Sequence, residues 1–474
     1  MGRVYVVFGR EGTGPVDLAE VAAGEGGFAI EPGDVGEVTW RAFADVDGDG
    51  RVDLVATDDD GGWTYVVFGG ARGGSKSSVS ERGLLRLDAL KDGEGLIIDH
   101  ATSEELTATR FGDLVDVNGD GFADLVFGYA RNGAEANANL AVIDGGPGLT
   151  SGTLPELATG THGRVEAWEE LYDVEVIEAA VAGDVDGDGF DDILVHLVSS
   201  GGYFFHPVVL FHGGPSETWP QREMLEVSDQ DGFSQRGFGG NVDLNGDGLS
   251  DVYVHGYGGP WSEFSAGHVV IVRLTPAPQP GPSASWYSGG ATFAVSVDDR
   301  QFLELRGIGD VNADGLDDIV VTTDVDEVRR TVIVYGVGGG SGGRREVDRD
   351  VLPKEGVELS VPAALPIGDV SGDGQGELVL LDRRSEGGTA RRDQLYVVYG
   401  HDDWSGGVDL EAIADGEGGF LIEGERRDDD LGAEVAVGDI DGDGLGDLVV
   451  AAPEADANGT SSGRIYVYFG AQEL

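Results

Sequence analysis

The stretch DIDGDGLGDLVVAAP at residues 439–453 alternates acid with glycine and then passes into an aliphatic run. Six other segments repeat its first nine positions. They are DVDGDGRVD at 45–53, DVNGDGFAD at 116–124, DVDGDGFDD at 184–192, DLNGDGLSD at 243–251, DVNADGLDD at 310–318 and DVSGDGQGE at 369–377. Their starts lie 59–71 residues apart, about 66 on average. A period of this length marks a repeat architecture rather than a string of independent domains.

The surroundings repeat as well. A short glycine-containing apolar stretch precedes each loop, and an aliphatic run follows it, as in Leu448-Val449-Val450. After a variable connection comes a second alternating segment ending in glycine, such as TYVVFGG at 64–70, TVIVYG at 331–336, QLYVVYG at 394–400 and RIYVYFG at 464–470. Several units add a fourth segment, GGFAIE at 26–31 or GGFLIE at 418–423. Alternation with period two, β-branched and aromatic enrichment and glycine punctuation predict antiparallel sheet, and no segment reads as a long amphipathic helix. Four strands repeated seven times predict an all-β fold, a seven-bladed β-propeller of four-stranded antiparallel blades occupying 1–474 as one domain. The alternating strand occurs an eighth time at Arg3–Gly9. Closing the ring then has two solutions: Gly26–Glu31 completes the last blade and one strand copy is displaced, or the chain is a slice of a longer array.

The loops carry the chemistry. A hard cation such as Ca²⁺ takes about six to eight oxygens at roughly 2.3–2.6 Å in tolerant geometry. Position 1 offers Asp45, Asp116, Asp184, Asp243, Asp310, Asp369 and Asp439. Position 3 offers Asp47, Asn118, Asp186, Asn245, Asn312, Ser371 and Asp441, and position 5 offers Asp49, Asp120, Asp188, Asp247, Asp314, Asp373 and Asp443. Position 7 contributes a main-chain carbonyl from Arg51, Phe122, Phe190, Leu249, Leu316, Gln375 and Leu445. The closing acid stands at position 9: Asp53, Asp124, Asp192, Asp251, Asp318, Glu377 and Asp447. An EF-hand closes at position 12 on a helix, whereas here position 12 is Ala56, Phe127, Val195, Val254, Val321, Leu380 and Val450, so that motif is excluded. The expectation is up to seven structural Ca²⁺ ions. The other reading of the same residues is a set of Asx-Gly turns whose acids only cap backbone groups. Ser371 and Glu377 place the sixth loop last in expected affinity, behind the first, third and seventh, and Ala313 is expected to stiffen or shift the fifth.

These residues resemble the FG-GAP repeats of integrin α-subunits and their bacterial relatives, over nearly the whole chain. The last unit is the most similar, with Ala451-Ala452-Pro453 where the family has Gly-Ala-Pro; elsewhere that tripeptide is lost, as at Ala56-Thr57 and Val195-His196. The resemblance implies a propeller with the loop between the first two strands of each blade. It also implies a non-catalytic adhesive or ligand-binding role, with a protein or glycan ligand on the face opposite the loops.

Composition narrows the classes. The chain has 474 residues, 88 acidic against 30 basic, and a net charge of −58. Phosphate would be repelled at every approach, which rules out a sequence-blind nucleic-acid binder and argues against docking on an anionic membrane surface; no nucleic-acid partner and no membrane insertion are expected. There is no cysteine, hence no thiolate chemistry, and no apolar run long enough to span a bilayer. MGRVYVVFGREG reads as a strand, not a signal peptide. Open loops of this kind need sub-millimolar to millimolar calcium, which points to an extracellular or cell-surface setting. A lectin, a polysaccharide lyase and a purely architectural module remain alternatives, though the charge opposes a uronate substrate.

Two further features attract a ligand reading. HGYGGPWSEFSAG at 255–267 carries Tyr257, Trp261 and Phe264, followed by the Pro-rich TPAPQPGPSASWY at 275–287, and exposed aromatics suit sugar stacking or a protein hot spot. They equally suit covering their own blade's edge. His196 and His255 occupy equivalent positions in neighbouring units, open to a ligand role or to plain packing. With the carboxylates absorbed by the loops, no pair stands out as a catalytic acid and base, and the chain reads as a non-enzyme.

Overall fold

The computed structural model describes residues 4–7, 18–23, 25, 27–31, 33, 38–58, 62–69, 84–91, 93–100, 106–131, 138–167, 174–199, 208–215, 221–225, 233–258, 267–273, 292–297, 301–325, 328–336, 356–359, 364–366, 370–371, 373, 375–382, 393–401, 404, 407–424, 426, 429–438, 446–455 and 464–468. The chain falls into two compact units, 1–230 with 238–240 and 276–289, and the remainder. Both are all-β.

In the first unit, Leu106–Val115, Asp124–Arg131, Ala138–Ile143 and Gly163–Ala167 form one antiparallel sheet in chain order. Val174–Gly183, Asp192–Ser199, Val208–His212 and Gln221–Leu225 form the next. The sheet before them runs Val38–Ala44, Asp53–Asp58, Trp63–Val67 and Gly95–Asp99, and gains a parallel fifth strand, Gly152–Thr153. In the second unit the same order recurs in Gln301–Gly309, Asp318–Val325, Val328–Val334 and Gly356–Leu359, and in Ala364–Pro366, Leu378–Asp382, Gln394–Val398 and Gly419–Glu423. Phe233–Val242, Asp251–Gly258, Gly267–Arg273 and Thr292–Val297 make a further four-stranded sheet. Each acidic loop joins the first strand of its sheet to the second. The antiparallel sheets expected from the period-two pattern are therefore present.

The uniform four-strand expectation is corrected at both ends. Val435–Gly438, Asp447–Ala452 and Arg464–Tyr468 make a sheet of three strands, with Ile465 and Val467 exposed. Gly27–Glu31 does not join it. It pairs antiparallel with Val4–Val7 and parallel with Leu84–Arg86. Val4–Val7 and Arg464–Tyr468 belong to near-identical segments, so either offers the same hydrogen-bonding edge, and the structure uses the one nearer in sequence.

Neighbouring sheets bury one another's faces. In the central strand Asp124–Arg131, Leu125, Phe127 and Tyr129 pack with Val46, Val55, Val66 and Ile98 of the preceding sheet. The alternate residue Val126 packs with Ile193, Val195 and Phe211 of the following one. The equivalent layer in the second unit joins Val320 and Ile333 to Leu378, Leu380 and Val398. A strand with period two thus feeds two cores, which is why the central runs are aliphatic on both faces. Just before the loop the first strand bulges, at Val181/Gly183 and again at Gly307/Gly309. Gly183 and Gly309 take φ of 74° and 67° there, a left-handed backbone that accounts for the glycine ahead of the loop.

Candidate metal centres

Within each loop the acids first organise the turn. Asp45 Oδ1 accepts the N–H groups of Gly48 and Asp49 at 2.8 and 3.2 Å, and its Oδ2 accepts that of Gly50 at 2.8 Å. Asp47 accepts from Asp49, and Asp49 from Arg51. Position 9 has a different task. Asp53 Oδ2 accepts from Val46 and Asp47, while Oδ1 accepts from Gly69 at 2.8 Å, tying the loop to the glycine that ends the third strand. The same clasp joins Asp124 to Gly145, Asp192 to Gly213 and Asp318 to Gly336. All seven position-9 acids have no exposed surface, whereas the position-5 acids from Asp49 to Asp373 are exposed.

The carboxylates converge. One oxygen each from Asp45, Asp47 and Asp53 lie within 4.8 Å of one another, as do those of Asp184, Asp186 and Asp188. All-oxygen donor sets of this kind fit a hard divalent cation. In the fifth loop Ala313 holds φ of 57°, the conformation of its glycine counterparts, and the Asp310 turn bonds persist. The loop is not displaced; it carries the roughly 1 kcal/mol strain of a Cβ in the left-handed region. In the sixth, the longer Glu377 is matched by the shorter Ser371, whose hydroxyl donates to Oε1 at 2.9 Å. Asp369 and the seventh-loop residues Asp439, Asp441, Asp443 and Leu445 lie outside the described residues; Asp447 is buried like its counterparts.

Residues 431–468, the last sheet with its loop, match the sequence model of a family described as FG-GAP repeat. The chain carries an FG-GAP repeat. Curated relatives extend the likeness. Phosphatidylinositol-glycan-specific phospholipase D of mouse is 33% identical over 128 residues, 26% of this chain and 15% of that protein. The human protein of the same name is 34% identical over 112 residues, 23% of this chain and 13% of its own length. The matched region is thus a small part of those relatives. Among solved structures, Drosophila Semaphorin 1b, extracellular domains 1-2, overlaps 93% of this chain and 81% of its own at 10% identity, with a TM-score of 0.29 that is too low to argue from.

Consecutive acidic loops are also bonded to each other, which the sequence reading missed. Ala123 N–H donates to Asp45 O at 3.0 Å and Gly146 N–H to Val46 O at 2.7 Å; Asp317 does the same for Asp243, and Gly376 for Asp310. Position 7 supplies a side chain to this contact besides its carbonyl. A methyl at Gly48 would sit 2.7 Å from the Phe122 ring, and one at Gly119 2.6 Å from that of Phe190. The signal available was the large apolar residue at position 7 in a loop otherwise made of acids and glycine.

Three polar neighbours were also missed. Asp144 and His212 directly follow Ile143 and Phe211, which pair with Leu125 and Ile193, so they stand across from Asp124 and Asp192. Arg164 Nε bonds Asp144 at 3.0 Å, and its Nη2 lies 3.6 Å from Asp124, a built-in cation beside the second loop. The ring of His196 is buried edge-on against Phe238 and belongs to packing. The side chain of His255 and residues 259–266 and 274–291, with Trp261 and Phe264, lie outside what the structure describes.

Burial without a cation raises three of the position-9 acids. Desolvation outweighs the backbone hydrogen bonds and pushes Asp53 up to about 6, and Asp124 and Asp318 to about 7. Such groups take up protons more readily folded than unfolded, so folding stability falls as pH rises from about 4 to about 7. The metal-free chain should melt several degrees higher at pH 5 than at pH 8 in EDTA at fixed ionic strength. Relief of the net negative charge acts in the same direction. With calcium the order should reverse, because the ion binds deprotonated carboxylates. A metal-free melting temperature that drops on acidification would contradict this account.

Proposed function

We propose that this chain is a calcium-stabilised, integrin-like β-propeller module that acts outside the cell in adhesion or ligand binding and catalyses no reaction itself. The observation that carries the reading is the recurrence of one acidic loop sequence seven times between consecutive strands, with the carboxylates of the first and third loops gathered within 4.8 Å of one another. Burial of the position-9 acid supports a structural ion, since a cation there would offset the desolvation that raises Asp53, Asp124 and Asp318. In each loop the position-1, -3, -5 and -9 side chains would hold the ion with the position-7 carbonyl, and the ion would cancel their mutual repulsion. Extracellular calcium is sufficient for such sites and cytosolic calcium is not. The FG-GAP match supports a binding module, and the aligned 15% of the mouse phospholipase D is too small a share to bring that enzyme's activity with it. The ligand is a protein or glycan on the face away from the loops.

Arrays of glycans and of extracellular-matrix proteins, probed with the full chain in calcium and in EDTA, test the reading alongside an activity screen on uronate polymers. Calcium-dependent capture without turnover is the expected result. Cleavage of a uronate polymer would replace it with a lyase, and capture of nothing would leave a purely architectural module.

A further inference from the structure

Among the described residues, the third loop is the one whose closing acid faces a histidine. Extending the strand register by one residue beyond Ile193–Phe211 sets His212 opposite Asp192, where the corresponding residues are Phe68 in the first loop's sheet and Tyr335 and Tyr399 in the fifth and sixth. Directly opposed residues of an antiparallel pair share a face, with Cβ atoms about 5 Å apart. His212 Nδ1 lies 3.3 Å from Asp186 Oδ2 and 3.5 Å from Asp192 Oδ2. Ligand atoms of these three side chains all fall within 4.8 Å of one another. Donors about 2.1 Å from a tetrahedral ion stand roughly 3.4 Å apart, so the imidazole nitrogen is already spaced from each carboxylate as two ligands of one ion would be.

We propose that Asp186, Asp192 and His212 form a mixed nitrogen–oxygen site for a borderline divalent transition metal of the Zn²⁺ type. The donor atoms decide the class. An imidazole nitrogen is a poor ligand for calcium and a preferred one for zinc, copper or nickel, while two carboxylates and one histidine leave a tetrahedral position for water. Access fits the assignment too: the Asp192 side chain has no exposed surface and fixes the site, the His212 side chain is 18% exposed, and that of Asp186 is 43% exposed on the solvent side. Asp192 is held by its bonds from Val185 and Gly213 at 2.9 and 2.7 Å, so the site is anchored to two strands before any ion arrives. Because Asp186 also belongs to the all-oxygen group with Asp184 and Asp188, the transition metal takes the place of calcium in this loop alone. The assignment does not require that the other six loops hold calcium.

The test is calorimetry with Zn²⁺, and visible absorption with Co²⁺, on the full chain in calcium-saturated buffer. One equivalent of Zn²⁺ should bind and resist excess calcium, and Co²⁺ should give the intense visible bands of a four- or five-coordinate nitrogen–oxygen site. His212→Phe, the residue of the first sheet at this place, and the polar His212→Gln should each abolish the bands. Each should also weaken that equivalent at least about a hundredfold, the upper end of what losing even an outer-shell partner costs. Two replacements guard against one that fails to fold, with the calcium melting curve as the folding control. Phe68→His, which sets an imidazole opposite Asp53, should add a second equivalent. Zinc that calcium displaces, or zinc that binds equally well to a folded His212 variant, would overturn the site and leave a plain histidine–carboxylate ion pair. Neither result bears on calcium binding at the other loops, which the calcium titration reads separately.

Discussion

Calcium added to the metal-free chain is expected to raise its melting temperature by roughly 5–20 °C, with magnesium far less effective. The size follows from mass action. One site contributes about 0.4 kcal/mol when free calcium equals the dissociation constant and about 1.4 kcal/mol at tenfold excess, so seven sites contribute roughly 3–10 kcal/mol. The first compact unit holds three of the loops and the second four, so about 1–6 kcal/mol acts on each, and for a unit of that size each kcal/mol moves the midpoint by about 2–4 °C. The direction follows from charge: each loop carries three or four acids at positions 1, 3, 5 and 9, and the chain as a whole carries −58. Seven divalent ions would reduce that to −44, starting from the composition. The loops are not equal in this respect. Arg164 already places a guanidinium 3.6 Å from Asp124, so the second loop should gain least among those rich in acid. Differential scanning calorimetry in EDTA, magnesium and stepped calcium, with isothermal titration to count ions, checks both the shift and the stoichiometry. A midpoint indifferent to calcium would mean that the hydrogen bonds of Asp45 and its counterparts complete the turns by themselves. The extracellular reading would then lose its main physical support.

The loops and strands were legible in the sequence because the forces behind them are local. Acid–glycine alternation writes the Asx turns directly: Asp45 bonds the N–H groups three, four and five residues on, and no distant partner is needed. Period-two runs such as Leu448–Val450 likewise announce buried central strands. What escaped depends on register, which only the assembled sheet supplies. His212 is opposite Asp192, and Asp144 opposite Asp124, through pairings between residues about twenty positions apart. Phe122 packs on Gly48 across two sheets. Nothing in the spacing of a single repeat reports these meetings. Ala313 shows the converse. A residue that disfavours the left-handed region still adopts it, because Asp310 and the bonds between the fifth and sixth loops fix the backbone around it. The pairing of Gly27–Glu31 was undecidable from sequence for a sharper reason: Val4–Val7 and Arg464–Tyr468 lie in near-identical segments, which differ only by Val4 for Ile465 and Val7 for Tyr468.

Asp318→Ala is expected to cost about 2–5 kcal/mol even in EDTA, whereas Asp314→Ala in the same loop should cost under about 1 kcal/mol there. Both are candidate ligands of one ion, so the metal alone cannot separate them. Their hydrogen bonds do. Asp318 is fully buried and clasps Val311 N–H at 3.1 Å and Gly336 N–H at 2.8 Å, joining the loop to the end of the third strand. Alanine leaves the buried Val311 N–H and the half-buried Gly336 N–H without an acceptor, each worth up to about 1–3 kcal/mol. Relief of the buried charge, which pushes the carboxyl up to about 7, offsets part of that loss above neutral pH. Asp314 is exposed and accepts N–H groups that water can satisfy in its absence. In calcium each variant should lose, in addition, the contribution of one site, about 1.4 kcal/mol at tenfold excess. Urea unfolding of the two variants with and without calcium therefore yields a large constant difference between them and a similar calcium-dependent increment for both. Equal losses in EDTA would remove the clasp from the account of position 9. A calcium increment confined to Asp318 would instead take Asp314 out of the ligand set, and with it the all-oxygen geometry on which the choice of calcium rests.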